Sequence, residues 1–183
     1  MRFLEDELLR LRAVEPEDAK MMWRVESDST QWRENGMMAP YSMRNLREYA
    51  ENYDADPIRT GQLRLIAELK TAGAETAESR FTGIVDLFDI SPTGRTAFVG
   101  IYIRAEQRGK GYAMRLLRIL EEYCRLLLNL RILAGKVSET NMASRTMFEH
   151  AGYRLEGELK RWLLNGSETH SLLIFTKELG LPS

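Results

Sequence analysis

The sequence predicts an α/β domain built on a mixed, mostly antiparallel sheet with helices on both faces. Three observations carry this expectation. Thr96–Ile103 is a β-branched and aromatic run that leads through a glycine-rich basic turn, E-Q-R-G-K-G-Y-A, into a long amphipathic stretch and then an alternating run over 131–138. That succession is the pattern of a parallel strand pair joined by a crossover helix. The runs Leu63 to Leu69, Phe81 to Ile90 and Thr96 to Ile103 follow one another through a polar loop and a short turn, and the sheet is expected to be antiparallel up to the central strand. Asn165-Gly166 separates two further runs and marks a closing hairpin. At 183 residues, 44% hydrophobic and 29% charged, the chain fits one domain over residues 1–183 with a sizeable core.

Taken in order, Leu8 to Ala13 alternates leucine with arginine and reads as the first strand. Pro16 suits a helix N-terminus, and Ala19, Met22, Trp23 and Glu26 follow at helical spacing. The periodicity breaks from Ser27 to Tyr41, a segment holding Trp32, Glu34, Met37 and Met38, before Ser42 offers a cap for a second helix through Tyr53. These aromatic and methionine side chains fit either core packing or a substrate wall, in which methionine adapts its shape and the Trp32 ring face attracts an ammonium. Asn52 to Gly61 is a polar connection holding Pro57, and Leu63 to Leu69 is a second strand. Thr71 to Ser79 is a polar loop, longer than the ~2–5 residues usual in a hairpin. Phe81 to Ile90 is a third strand carrying Asp86 and Asp89, and Pro92 to Arg95 turns into the central strand, where Gly100 marks a bulge or a close backbone approach. In the long helix Ala113, Leu116, Leu117, Leu120, Cys124 and Leu127 share one face, with Arg115, Arg118, Glu122 and Arg125 on the other. Asn141 begins a short helix that stops at Gly152, a residue suited to a left-handed cap. Tyr153 to Leu164 and Thr169 to Thr176 form the last hairpin.

The turn before the long helix is where the sequence places chemistry. Gly109 and Gly111 let the backbone turn with no Cβ in the way, so successive N–H groups converge on an anion at the positive end of the helix dipole. Arg108 and Lys110 add mobile positive charge. The segment suits a phosphorylated ligand or, more plainly, a strand-to-helix connection. A Walker A loop is ruled out because Gly111, not Ser or Thr, follows Lys110, and the dinucleotide fingerprint fails because Met114 stands in the third glycine position.

R-G-K-G-Y-A does match the pattern Q/R-x-x-G-x-G/A through Arg108, Gly111 and Ala113, and in this the chain resembles the GCN5-related N-acetyltransferases (GNAT). The resemblance runs from about Leu8 to Thr176. It is closest to the branch holding the spermidine acetyltransferases and the acetylases of ribosomal-protein N-termini, through N-x-x-S at Asn141 to Ser144, A-G-Y-R-L-E-G-E-L-K from Ala151 to Lys160, and Asn165-Gly166. It implies a three-layer fold whose central sheet is splayed at the middle, with the pantetheine arm of acetyl-coenzyme A in the opening. On this reading Arg108, Lys110 and the amides of Gly109, Lys110, Gly111, Tyr112 and Ala113 hold the diphosphate, and Met114 also contacts the co-substrate. The backbone of Ile101, Tyr102 and Ile103 cradles the oxyanion, and Asn141 and Ser144 also contact the co-substrate. Trp32 and Glu34, with Asp86, would border the acceptor. Asn141 fits a helix N-cap equally well.

Transfer from a thioester to an amine needs a neutral amine, a stabilised oxyanion and a protonated thiol. Lysine-type amines have a pKa near ~10.4 and α-amines near ~7.7–8.0, so the former need more help from a base. Here the chain departs from the family. The tyrosine acid that many relatives carry seven residues after the motif asparagine is Phe148, and the glutamate they place two residues before the strand glycine is Phe98. Relatives acting on ribosomal-protein N-termini use the serine of N-x-x-S, which makes Ser144 the expected catalytic residue, although it also fits a plain first-turn position. Glu34, Asp86 and Asp89 are candidate bases or merely solvated acids. The expected function is N-acetylation of a primary amine, either a polyamine-like small molecule or a protein N-terminus, by direct transfer. The alternative is a regulatory module that binds acyl-coenzyme A without efficient catalysis.

A net charge of −1 and a pI of 6.2 argue against a nucleic-acid partner. Cys124, the single cysteine, lies on an apolar helix face, which favours packing over nucleophilic catalysis and excludes an internal disulfide. His150 and His170 lack ligand spacing, so no metal is expected. The start, M-R-F-L-E-D-E, has acids where a signal peptide would be apolar, and no run reaches ~18 apolar residues. A cytoplasmic enzyme with no membrane partner is therefore expected, and a homodimer is allowed.

Overall fold

The alternation of leucine and arginine at the N-terminus resolves into two separate jobs. In the computed structural model, which describes residues 3–29, 39–70 and 76–180, strand β1 (Leu9–Ala13) buries Leu9 and Leu11 and turns Arg10 and Arg12 to the other side. Both guanidiniums grip Glu68 on the neighbouring strand β2 (Leu63–Leu69), Arg10 at 2.7 Å and Arg12 at 2.8 Å. Burial pushes the Glu68 carboxyl up, but the hydrogen bonds from Arg12 and Arg10 outweigh it and hold the group below the ordinary carboxylate range.

Two compact units emerge, one of Met1–Arg12 with Asp56–Ser183 and one of Ala13–Ala55. In the smaller, a 3-10 turn at Pro16–Asp18 leads into α1 (Ala19–Glu26), which buries Ala19, Met21 and Met22. Helix α2 (Met43–Glu51) starts at Ser42, whose hydroxyl accepts the Asn45 N–H at 3.0 Å while Asn45 Oδ1 accepts the Ser42 N–H. It ends at Glu51, before the expected Tyr53.

The larger unit is a seven-stranded sheet in the order β1-β2-β3-β4-β5-β7-β6. Its further strands are β3 (Phe81–Ser91), β4 (Thr96–Ile103), β5 (Ile132–Ser138), β6 (Arg154–Asn165) and β7 (Glu168–Glu178). β2, β3 and β4 pair antiparallel, β4 and β5 parallel, and β7 antiparallel with both β5 and β6. Two short helices lie where only polar connections were expected. The first, α3 (Pro57–Thr60), is capped by Asp56 and closed by Gly61 in a left-handed conformation, and α4 (Ala77–Arg80) precedes β3. Each is too short to show a helical period in sequence.

Helix α5 (Tyr112–Leu126) buries Leu116, Leu117, Ile119, Leu120 and Cys124 into one cluster with Leu65, Val85, Leu87, Ala97, Val99, Leu133, Val137, Leu173 and Phe175 from the sheet. Each fully buried leucine there contributes about 1.5–3 kcal/mol. Cys124 is wholly enclosed, and burial pushes its thiol pKa far up, so it packs as a small hydrophobe. Helix α6 (Met142–His150) lays Phe148 against the same core, edge-on to Tyr153 at 4.9 Å and stacked with Phe175 at 6.0 Å.

Gly100 is not a bulge. It pairs in register with Asp86, and a Cβ there would meet nothing closer than Phe88 at 3.7 Å. The β3–β4 ladder breaks instead between Phe88 and Ser91. Close approaches lie instead at Gly83, where a Cβ would run into the Tyr102 carbonyl of β4, and at Gly135, where it would run into the Phe148 ring. The last hairpin also differs by one residue: Asn165 pairs with Glu168, so the loop is Gly166-Ser167 with Gly166 at φ +65°, and Asn165 closes the ladder. At the other end, Asp6 accepts the Leu8 and Leu9 N–H groups and, with Glu7, holds Arg115 in the first turn of α5.

Candidate active site

β4 and β5 share only three rungs, Thr96↔Ile132, Ala97↔Leu133 and Phe98↔Ala134. Beyond Phe98 the strands part. β4 stays paired with β3 through Ile103, and β5 stays paired with β7 through Ser138, so neither is frayed. The β5-facing backbone edge of β4 from Val99 to Ile103 is thereby released into an opening inside the sheet, where it can bond to something other than a strand.

The turn after β4 leads from this opening to α5. A 3-10 turn at Ala105–Gln107 is followed by Gly109 at φ +74° and Gly111 at φ +77°, both left-handed. The first backbone bond of the helix runs from the Arg115 N–H to the Gly111 carbonyl, 3.2 Å. The amides of Tyr112, Ala113 and Met114 therefore have no intrahelical acceptor and project from the positive end of a 15-residue helix. No atom lies within 4 Å of the Cβ positions of Gly109 or Gly111, which leaves that backbone open to an anion. Arg108 donates its Nε to the Ile103 carbonyl at 3.0 Å and lies 6.0 Å from the Tyr102 ring centre, and Lys110 donates to Gln107 at 2.8 Å. Both basic side chains thus sit at the exposed rim of the loop. This donor set fits a diphosphate: backbone N–H groups at a helix start, flanked by cations.

α6 starts where β5 ends, since the Asn141 N–H bonds the Ser138 carbonyl at 2.9 Å. Asn141 caps the helix, accepting the Ser144 N–H at 3.1 Å. Ser144 is half-buried in the first turn of α6, the helix that follows β5. Phe98 and Phe148, which stand where many relatives carry proton donors or acceptors, are both engaged in ring packing. Phe98 stacks on Phe88 at 5.7 Å, and Phe148 is in the core. Asp86 is tied to Arg64 by two hydrogen bonds of 2.8 and 2.9 Å, and Asp89 faces Lys136 at 3.1 Å. Trp32 and Glu34 lie outside the described residues. Among the described residues no three of His, Cys, Asp or Glu gather as a metal site, and no helix is long and apolar enough to cross a membrane.

The model of the acetyltransferase (GNAT) domain family matches residues 9–154. The chain belongs to this family. It is an acetyl-coenzyme A-dependent N-acetyltransferase. Two curated relatives are spermidine N(1)-acetyltransferases. That of Vibrio cholerae serotype O1 is 26% identical over 162 residues, 86% of each chain, and that of Escherichia coli K12 is 25% identical over 165 residues, 90% of this chain and 83% of the relative. Among solved structures, spermidine N-acetyltransferase from Vibrio cholerae in complex with CoA and spermine has the same fold, with a TM-score of 0.80 at 23% identity over 95% of this chain and 97% of that one.

Lys136 escaped the sequence reading. The signal available for it is its isolation: it is the one charged residue in the strand I-L-A-G-K-V-S.

Proposed function

We propose that this acetyltransferase modifies a primary amine of a polyamine-type small molecule by direct transfer in the opening between β4 and β5. The observation that carries the transfer is the loss of β4–β5 pairing after Phe98 beside the uncapped amides of α5. The polyamine class is supported by the two spermidine acetyltransferases among the relatives. In this reading the amides of Tyr112 to Met114 hold the diphosphate, with Arg108 and Lys110 as mobile counter-charges. A β5-facing N–H between Ile101 and Ile103 donates to the carbonyl oxygen as it becomes an oxyanion. No protein carboxylate in the described part of the site stands unpaired, because Asp86 and Asp89 each hold a cation. Among the described residues, then, deprotonation of the amine is left to water. Coenzyme A's thiol resembles that of cysteine, with a pKa near ~8.5, so its thiolate leaves tolerably, and Ser144 relays a proton to it from water.

Thiol release from acetyl-coenzyme A across spermidine, spermine, propylamine and a short peptide with a free N-terminus tests this. Turnover greatest with spermidine or spermine is expected. Turnover confined to the peptide would move the acceptor to protein N-termini, and co-substrate binding without turnover on any amine would leave a non-catalytic module.

A further inference from the structure

The face of the sheet opposite α5 carries a cluster that the transfer scheme does not use. Phe88 and Phe98 form a rung of the β3–β4 ladder and alternate with Leu87, Ala97 and Val99, which face α5. Their rings stack at 5.7 Å with 19° between planes. The Lys136 ammonium reaches across from β5 to lie 4.1 Å from the Phe98 ring centre and 5.4 Å from that of Phe88. Asp89 closes the third side, 3.1 Å from the same nitrogen. To do so it leaves the ladder, which resumes only at Ser91↔Thr96, and takes φ +50°, a conformation that side chains rarely adopt. Two ring faces and a carboxylate around one nitrogen are the chemistry that recognises an alkylammonium.

The place of this cradle matters as much as its composition. Phe98 is the last residue of β4 paired with β5, so the cradle sits at the root of the opening. Ile101 is three residues further along β4, which at ~3.3 Å per residue is ~10 Å. An acceptor with two cationic nitrogens could present one to the thioester near Ile101 to Ile103 and leave the other within reach of Phe98. Gly100, between them on the same face as Phe98, puts no side chain in the way.

We infer that Phe88, Phe98 and Asp89 form a site for the second ammonium of the acceptor, and that Lys136 fills this site until the acceptor displaces it. The inference rests on the polyamine reading of the acceptor. Lys136 is then a built-in competitor: it weakens binding of a diamine or triamine by the share that the cradle would contribute, and a monoamine does not feel it.

The test is calorimetric binding in the presence of coenzyme A, which allows binding without turnover. Lys136→Met is compared with the unaltered enzyme, using spermidine and propylamine as probes. Spermidine should bind about 2- to 30-fold more tightly to the variant, the range a cation–π contact supplies, while propylamine is unchanged. Adding Asp89→Asn, which keeps a residue tolerant of the left-handed backbone, should cancel most of the gain. An unchanged or weakened spermidine affinity, or an equal change for both amines, overturns the site. Retention of the gain in the double variant removes Asp89 from it. The acetylation assay is separate: tighter spermidine binding with no acetylation of spermidine by the unaltered enzyme would sink the proposed function and leave the cradle standing.

Discussion

Gly111 and Gly135 flank the same opening, one beyond β4 and one on β5, and each is required for a reason that the other lacks. Gly111 has open space where a Cβ would go, and its constraint is the backbone: φ +77° sets the helix start that aims three amides outward. Gly135 is not in the left-handed region, and its constraint is contact, with the Phe148 ring where a Cβ would be. One glycine shapes a helix start from main chain, and the other lets a helix side chain into the core. Function and stability should therefore separate cleanly between them.

The largest expected effect is on the functional side. Gly111→Asp places a negative charge against the diphosphate at a position where Asp tolerates the backbone and clashes with nothing. Coenzyme A affinity should fall about 100-fold or more in titration calorimetry, with the thermal transition lowered by a few degrees at most. Unchanged affinity in the folded variant would remove the loop from the co-substrate site. Gly135→Ala should do the reverse, costing about 1–3 kcal/mol in chemical denaturation through overpacking, with coenzyme A affinity retained. The same change in a Phe148→Leu background should cost less, and equal costs would show that Phe148 is not what Gly135 accommodates.

Ser144→Ala sharpens the comparison from between the two. The Ser144 N–H is what Asn141 caps, and alanine keeps it, so the helix start survives. A fall in kcat of about 100-fold or less is expected, the lower end of general acid catalysis, with coenzyme A affinity nearly unchanged. If affinity drops as far as kcat, Ser144 is a co-substrate contact. If kcat does not move, water alone protonates the thiolate.

The same pair of glycines shows what could be read from sequence. Gly111 was legible because its reason is local: the residues that need it stand beside it in R-G-K-G-Y-A. β2 and β4 were legible to the residue, since each is a short, mostly apolar run bounded by turn signals. Gly135 was not, because the side chain it makes room for is supplied thirteen positions later by a helix. Lys136 was missed for the same reason, its partners Phe88, Asp89 and Phe98 lying on two other strands. The expectation of a bulge at Gly100 failed because bareness on the outer face, not backbone geometry, is what distinguishes that position. Asn141 had two readings in sequence, and its cap to Ser144 shows that the helix-start role is real whatever else it touches.

The grip of Asp6 and Glu7 on Arg115 bears on how the enzyme is handled at the bench. Arg115 lies in the first turn of α5, directly after Tyr112, Ala113 and Met114, so the N-terminal segment braces the helix start that those amides belong to. Substituting Asp6 and Glu7 together would remove that brace. Preparations in which Asp6 and Glu7 differ are accordingly not interchangeable when coenzyme A binding is the quantity being compared.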